Sequence, residues 1–371
     1  MGPVSAAPAG HPLRVAIVGA GAIGGTVGAY LARAGHDVTF VDVVAEHVAA
    51  IRERGLRIEG PIDTFTVRAP AYLPHEVPGV YETVFLCVKA HATEAAARAL
   101  APFVADDGVV VSLQNGLNEL VIAEVVGESR TMGCFVNFGA DYLEPGVIHY
   151  GGRGAFVLGE LDGRDSERLR AVHAAVQAFE PNAITTGNVW GYLWSKLAVG
   201  AMIFATALTD DGIADCYAMP AYRPLFAAIA REVLTVAQAR GVTPEPFDGF
   251  DPGAFLPGVP WEVTERSLDG MVAFNRRSAK THSGVWRDLA VRKRKTEGEA
   301  QLGPIPREAA AVGTSAPLVA RILELVGEVE EGRRERSRAN LDLLEALRRA
   351  GAVAAAAGEA AGVETPAGGA A

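Results

Sequence analysis

The sequence predicts an α/β protein in which a Rossmann-type, doubly wound sheet is followed by an all-helical C-terminal domain. An apolar stretch at residues 14–19 runs directly into the pattern Gly-x-Gly-x-x-Gly and then into a helical pattern. Short apolar runs alternate with helical stretches over the first half of the chain. After residue 189, long helical periodicity replaces that alternation and little strand signal remains.

The elements follow in order along the chain. We predict strands at residues 14–19, 38–42, 83–88 and 108–112, helices at 24–34 and 45–54, and further strands at 130–138 and 146–159. Long helices are predicted at 190–208, 220–240 and 317–329. We therefore expect a first domain built on the doubly wound sheet over residues 12–187 and a helical domain over 188–332. Residues 333–371, Arg/Glu-rich and then almost wholly Ala and Gly, are expected to be a disordered tail.

The glycine pattern of the first strand predicts a dinucleotide site. Gly19 permits a tight turn, Gly21 permits close approach of a pyrophosphate, and Gly24 permits helix and strand to pack. The helix start at Ala22 and Ile23 offers free N–H groups to phosphates. A second strand ends at Asp42, 18 residues after Gly24, where an acid can meet the adenosine ribose. The alternative is a plain glycine-rich turn between strand and helix.

Composition excludes several classes of function. A net charge of -10 and a pI near 5.4 argue against binding to nucleic acid or to an anionic membrane. No apolar run reaches the roughly 18 residues of a spanning helix, and residues 1–11 lack a signal-peptide pattern, so a cytoplasmic location is expected. Cys87, Cys134 and Cys216 are scattered, so we expect neither a disulfide nor a metal site, and Cys87 is interpreted as a small core residue.

Three groups of residues can carry chemistry. Lys89 and Asn115 follow predicted strands, at the sheet edge where ligands of such folds bind, although Asn115-Gly116 is also an ordinary turn signal. Lys196 lies in an apolar helix, where a lysine either extends to water or has a pKa depressed toward a catalytic value. Glu297 follows a basic run and can be simple charge balance.

Taken together, these residues resemble the ketopantoate reductase family, the 2-dehydropantoate 2-reductases, over roughly residues 13–330. Five short motifs occur in the family's order and spacing: Gly19-x-Gly21-x-x-Gly24, Val88-Lys89, Gln114-Asn115-Gly116, Trp194-x-Lys196-Leu and Thr296-Glu297. The resemblance implies a fold like that of 6-phosphogluconate dehydrogenase. It makes residues 12–187 the dinucleotide-binding domain and the helical residues 188–332 the domain for substrate binding and for formation of a homodimer.

The resemblance also implies a reaction, the reduction of a small-molecule 2-oxo acid by a nicotinamide cofactor. It assigns Lys196 as the general acid, Glu297 as the residue that orients the substrate hydroxyl, and Asn115 as the amide that holds cofactor and lysine. The run before Glu297 is about one residue longer than the family norm, so Glu299 is a possible replacement. The family often places an arginine beside Asp42, where this chain has Val43 and Val44, so NAD is expected as cofactor, with NADH preferred over NADPH.

Two departures concern the substrate. Gly200 and Phe204 stand four and eight residues after Lys196, where the family has asparagines, and the family serine falls on Gly284 with Ser283 beside it. We therefore expect a substrate that is bulkier or more apolar than ketopantoate. A C=N reductase of the opine type and a dinucleotide-binding sensor without turnover are the alternatives.

Overall fold

The computed structural model describes residues 12–277 and 281–362. The chain divides into two compact units between Lys196 and Leu197, inside a helix, whereas the sequence placed the domain boundary at 187/188.

The first unit is built on one ten-stranded sheet. Its strands are β1 (Arg14–Val18), β2 (Asp37–Val41), β3 (Leu56–Glu59), β4 (Phe65–Val67), β5 (Ala71–Tyr72), β6 (Tyr81–Leu86), β7 (Val104–Ser112), β8 (Thr131–Glu144), β9 (Val147–Glu160) and β10 (Ile184–Thr185). The order is β4-β3-β9-β8-β7-β6-β1-β2-β5, and β10 pairs with β9. Pairing from β5 through β8 is parallel, and β8 and β9 form a long antiparallel hairpin.

Helices cover both faces of this sheet, which confirms the predicted doubly wound arrangement. The helices are α1 (Ala22–Arg33), α2 (Ala45–Arg54), α3 (Thr93–Leu100), α4 (Asn118–Val126) and α5 (Glu167–Val176). Val15 and Ile17 of β1 point into a core shared with α1 and α5. Ala16 points the other way, into a core shared with α3 and α4. Alternation of side chains along one strand thus supplies both layers.

The sequence did not predict β3, β4, β5 or β10, and it predicted β7 and β8 too short, whereas β9 lies within one residue of its predicted range. The four missed strands have two to four residues, and the exposed residues in β3, β4 and β10 break the apolar runs by which a strand is recognised. Pairing with neighbouring strands, rather than local composition, therefore makes them strands.

The second unit is helical, as predicted. Its helices are the remainder of α6 (Val189–Ala207), then α7 (Ile213–Ala218), α8 (Arg223–Ala239), α9 (Trp261–Arg276), α10 (Gly284–Arg287), α11 (Gly298–Leu302), α12 (Pro304–Ala311), α13 (Pro317–Glu330) and α14 (Ala339–Gly362). Within the residues that the structure describes, strand-like pairing in this unit is limited to an isolated bridge between Phe247 and Phe250.

The prediction of a disordered tail over 333–371 is wrong for residues 339–362, which form α14. Leu341 and Leu344 are fully buried, and the helix packs on α8 and α13. Asn340 is also buried and donates from Nδ2 to the Leu208 carbonyl at 2.9 Å. A few apolar groups at helical spacing are enough to dock a helix that is otherwise rich in Ala and charge. Residues 363–371 lie outside the described residues.

Candidate dinucleotide and substrate site

Four parallel strands of the first unit end in register. Val18 at the end of β1 pairs with Val41 of β2 and Leu86 of β6, and Leu86 pairs with Ser112 of β7. The predicted cofactor residues all follow these strand ends: Gly19, Asp42, Lys89 and Asn115. Because the strands are parallel, these residues leave the sheet at one edge, where ligands of open α/β sheets bind.

The glycine-rich loop is shaped for close approach of a ligand. Gly19 has φ +94°, and a Cβ there would lie 2.8 Å from the Val88 nitrogen. A Cβ on Gly24 would lie 2.2 Å from the Gly19 oxygen, so both positions require glycine. Around Gly21, by contrast, nothing lies within 4 Å of a Cβ position among the described residues. Helix α1 begins at Ala22 without a side-chain cap, so its first N–H groups can meet an anion such as a pyrophosphate.

Asp42 joins this loop to the end of β2. Its Oδ2 accepts a hydrogen bond from the Ala20 N–H at 2.9 Å, and its Oδ1 accepts one from the Val44 N–H at 2.9 Å. A carboxylate has about four lone-pair sites, so the half-buried Asp42 keeps acceptor capacity for ribose hydroxyls. The residues at the carboxyl edge therefore fit a dinucleotide.

His47 in α2 is hydrogen-bonded to this loop, and sequence reasoning missed it. It is 1% exposed, and its Nδ1 accepts a hydrogen bond from the Gly146 N–H at 2.9 Å. Since a backbone N–H can only donate, the ring proton resides on Nε2, which donates to the Ala20 carbonyl at 2.8 Å. A lone histidine in α2 carries no sequence signal of this role, because its partners are 27 and 99 residues away.

The loop that carries Asn115 is held by buried polar side chains. Gln114 donates from Nε2 to the Val88 carbonyl at 2.8 Å and to the Thr93 hydroxyl at 2.7 Å. Asn118 accepts from Thr93 at 2.8 Å and donates to the Asn115 carbonyl at 2.7 Å. Asn115 itself is exposed. The Gln-Asn-Gly motif is therefore more than a turn: its glutamine ties the ends of β6 and β7 together.

Lys196 is anchored on the sheet of the first unit. Its ammonium group donates to the Val136 carbonyl of β8 and lies 5.2 Å from the centre of the Phe135 ring. Strand β8 is the neighbour of β7, which leads to Asn115. The half-buried lysine thus contacts a strand carbonyl and an aromatic face, a placement that composition alone did not distinguish from a lysine that extends to water.

In the second unit, Glu297 and Glu299 differ in their surroundings. Glu297 is half-buried and stands at the N-cap of α11, next to Thr296, whose hydroxyl donates to Glu330 at 2.7 Å. Glu299 is exposed, and its Oε1 lies 2.7 Å from the position of a Cβ on Gly303, along its own helix. Of the two, Glu297 is the better placed to take part in a site.

A π-helical turn lies before Glu297, in the run that was expected to carry an extra residue. Residues Asp288–Arg292 form this turn, and Lys293 follows with φ 47°. Asp288 is buried and holds the turn by accepting from Arg292 at 2.8 Å and Arg294 at 3.0 Å. A π turn holds one residue more than an α-helical turn, so the additional residue expected here would be absorbed before Thr296 and Glu297.

Three further candidates lie in the second unit. Ser283 caps α10 by accepting from the Trp286 N–H at 3.0 Å. Gly200 has no atom of the described residues within 4 Å of a Cβ position, so an added side chain has room. Phe204 is 1% exposed, and its Cε1 is 3.2 Å from a Cβ position on Gly298. The ring is therefore a core residue that packs behind the Glu297 segment.

The described residues contain neither a metal-binding cluster nor a membrane-spanning helix. Among the described residues, no three His, Cys, Asp or Glu side chains are grouped so that they could hold a metal ion. In the same part of the chain, the helices are too short or too polar for any to cross a membrane.

Comparison with known proteins identifies related sequences and folds. A family model described as "Ketopantoate reductase PanE/ApbA" matches residues 15–163, and its C-terminal counterpart matches residues 188–330. A 2-dehydropantoate 2-reductase of Halobacterium salinarum is 31% identical, over 85% of this chain and 98% of that protein.

Two solved structures share the fold. The 2-dehydropantoate 2-reductase of Geobacter metallireducens has a TM-score of 0.73 at 27% identity, over 85% of this chain and 99% of its own. A D-mandelate dehydrogenase solved with NADH and anilino(oxo)acetate also has a TM-score of 0.73, at 23% identity, over 86% of this chain and 98% of its own.

Proposed function

The chain belongs to the ketopantoate reductase family, and on that premise we propose that it reduces a 2-oxo acid to the 2-hydroxy acid with a nicotinamide cofactor. One structural observation supports this proposal in addition to membership of the family. The carboxyl edge of the first unit combines an open glycine loop, an acid at the end of β2 and the Lys196 ammonium group of α6, which is hydrogen-bonded to β8. These are the parts that such a reaction needs.

The dinucleotide would be held by Gly19, Gly21, Ala22, Ile23 and Gly24 at its pyrophosphate. Asp42 and Lys89 would hold the adenosine end, and Asn115 would hold the nicotinamide end. When bound, the reduced nicotinamide supplies hydride to the carbonyl carbon of the substrate. Gly21 supports this assignment because the space beside it is open among the described residues.

Lys196 acts on the carbonyl oxygen of the substrate. As an ammonium ion it stabilises the negative charge that develops on this oxygen and then transfers a proton to it, forming the hydroxyl group. Its bond to the Val136 carbonyl orients the group before substrate binds. Glu297 accepts a hydrogen bond from the substrate hydroxyl and orients it, and Ser283 contributes a further polar contact to the substrate.

We infer a substrate more apolar or bulkier than ketopantoate, and NADH as the preferred cofactor. Gly200 leaves open room where an amide would otherwise grip a hydroxyl group. Asp42 would accept from the ribose hydroxyls of NADH and repel the 2′-phosphate of NADPH. A homodimer and a cytoplasmic location also remain predictions.

The test is turnover of NADH and NADPH with ketopantoate and with alkyl and aryl 2-oxo acids, followed by absorbance. We expect turnover without added amine, and Lys196→Ala should lower kcat by about 10²-fold or more while dinucleotide affinity stays nearly constant. Saturable dinucleotide binding without turnover would instead indicate a sensor, and turnover only with an amine would indicate a C=N reductase. Near-normal kcat in Lys196→Ala would contradict the assigned mechanism.

A further inference from the structure

Glu119, near the start of α4, is a buried carboxyl group that the proposed mechanism does not use. Its side chain is 0% exposed, and neither carboxylate oxygen has a hydrogen-bond partner among the described residues. Burial raises the pKa of Glu119 to about 7. Burying such a carboxyl group lowers the stability of the folded protein, because no hydrogen bonds offset the loss of its hydration.

The neighbours of Glu119 connect it to the proposed general acid. Helix α4 packs on β8, and Ser112 of β7 pairs with Gly133 beside Cys134. The Ser112 hydroxyl, the positive charge of Lys196 and the Cys134 backbone each lower the pKa of Glu119 against the effect of burial. Cys134 directly precedes the two β8 residues that Lys196 contacts. In the described part of the chain the Ser112 hydroxyl also has no hydrogen-bond partner. It therefore affects the pKa of Glu119 because it lies near the carboxyl group.

The charged and titratable groups around this carboxyl come from three elements. Lys196 belongs to α6 and Cys134 to β8, and Cys87, which follows β6, acts on Cys134. Burial raises the pKa of both thiols, so they stay neutral near pH 7. Among the groups that act on the Glu119 carboxyl, Lys196 is therefore one that carries an opposite charge.

A purely structural role explains Glu119 poorly. Ile122 and Val126 on the same helix already pack in the core, and an apolar residue at position 119 would avoid the desolvation cost. Perturbed ionisable groups of this kind concentrate at functional sites. The charged neighbour of Glu119 is Lys196, the residue that transfers the proton in the proposed reaction.

We propose that Glu119 is a positioning residue whose carboxylate is the buried counter-charge that keeps Lys196 an ammonium ion until the substrate oxygen takes its proton. The inference rests on the proposed function of Lys196. After the transfer, Lys196 is a neutral amine beside a carboxylate, and the negative charge favours uptake of one proton from solvent. Each turnover thus consumes one proton, and Glu119 itself does not touch the substrate.

The composition of the chain makes a direct test practical. There are five lysines, at positions 89, 196, 280, 293 and 295. In protein labelled with [ε-13C]lysine, NMR titration follows each ammonium group, and Lys196→Arg identifies the signal of Lys196. In Glu119→Gln, the pKa of Lys196 should fall by about 1 unit or more, because an opposite charge has been removed. Glu119→Asp, which keeps the charge, should restore most of the difference.

Glu232→Gln is the matched control, since Glu232 is also a largely buried carboxyl with a pKa raised by burial to about 7, but its hydrogen bonds come from the Leu318 and Val319 N–H groups. It should leave the Lys196 titration unchanged. If Glu119→Gln does not fold, Glu119→Met serves instead, since it replaces the unpaired carboxyl with an apolar chain of similar length and should give the same shift. Coincident Lys196 titrations in wild type and the Glu119 variant overturn the proposal.

Enzyme kinetics separate this inference from the proposed function. In Glu119→Gln, the alkaline limb of the kcat/KM profile should move to lower pH, whereas a merely structural loss lowers the whole profile without moving it. If wild type reduces no 2-oxo acid, the proposed function fails, yet the NMR titration still measures the coupling of the two residues. If turnover is found and the alkaline limbs coincide, the role of Glu119 alone is wrong.

Discussion

The Asp42 carboxylate accepts a hydrogen bond from the Ala20 N–H at 2.9 Å. The acid that is expected to bind the ribose hydroxyls therefore also holds the glycine-rich loop. Replacing Asp42 should therefore weaken the binding of both NADH and NADPH, because the loop loses a hydrogen bond. It should weaken NADH binding further, because the ribose hydroxyls of NADH lose their acceptor. The ratio of kcat/KM for NADH to that for NADPH isolates the ribose contribution.

For Asp42→Ala, we expect this NADH-to-NADPH ratio to fall by about 10- to 100-fold, because hydrogen bonds to a charged group contribute about 1.5–3 kcal/mol. Asp37→Ala is the control, since Asp37 begins the same strand and its side chain is 65% exposed. It should leave the ratio unchanged. A wild-type preference for NADPH would show that Lys89 outweighs Asp42.

Glu297 and Glu299 offer a paired test of the glutamate assignment. Glu297→Ala should raise KM for the 2-oxo acid and lower kcat/KM by about tenfold or more, since a hydrogen bond that orients the substrate is lost. Glu299→Ala should stay within about twofold of wild type, because Glu299 is exposed and lies along its own helix. The reverse result would mean that the π turn does not absorb the inserted residue.

Gly200 is the position at which substrate preference can be changed with least damage to the fold. Gly200→Asn has room for its side chain and should raise kcat/KM for ketopantoate relative to an aryl 2-oxo acid by about tenfold. Gly327→Asn in α13, another helical glycine with open space in the described structure, is the control and should not change the ratio. If wild type already prefers ketopantoate, the inferred apolar pocket is wrong.

Glu232 should make stability depend on pH. Burial raises its pKa in the folded protein to about 7, above the ordinary value of 4.5. Below pH 4.5 both folded and unfolded states hold the proton, and between 4.5 and 7 only the folded state does, so stability falls as pH rises through this window. The complete loss above pH 7 is about 3 kcal/mol.

Glu232→Gln should therefore lose less unfolding free energy than wild type between pH 5 and pH 8, measured by urea denaturation with tryptophan fluorescence. The exposed Glu94→Gln is the control and should follow wild type. Glu119 contributes a slope of the same sign, so Glu232→Gln keeps part of the pH dependence. An unchanged slope in Glu232→Gln would contradict the prediction.

Arg336 lies after residue 330, where the match to the family model ends, and it should stabilise the second unit. It donates to the Thr209 carbonyl at 3.0 Å, pairs with Asp210 at 2.6 Å and lies 5.2 Å from the centre of the Trp286 ring. Arg336→Ala should lower the free energy of unfolding by about 1–3 kcal/mol. The control Arg349→Ala removes an ion pair whose arginine is 71% exposed and should cost about 0–0.5 kcal/mol. Equal effects of the two would show that the contacts of Arg336 add no more than a surface pair.

The sequence by itself predicted the glycine-rich loop between β1 and α1 and the alternation of the longer strands with helices. Gly19 and Gly24 are required by contacts within a short strand-turn-helix segment, and such local geometry leaves a readable pattern. The alternation of apolar runs likewise predicted the doubly wound sheet and the helical second unit, because periodicity reflects which face of an element is buried.

Tertiary structure alone decided the features that join distant parts of the chain. His47 bridges to Gly146, Glu119 shares an interior with Lys196, and Leu341 docks a helix where composition indicated disorder. A single histidine or glutamate looks the same in the sequence wherever it packs in the fold, and a few leucines in a segment rich in Ala and charge are too few to predict a docked helix. Burial and partnership depend on packing between elements, and packing is a property of the assembled chain.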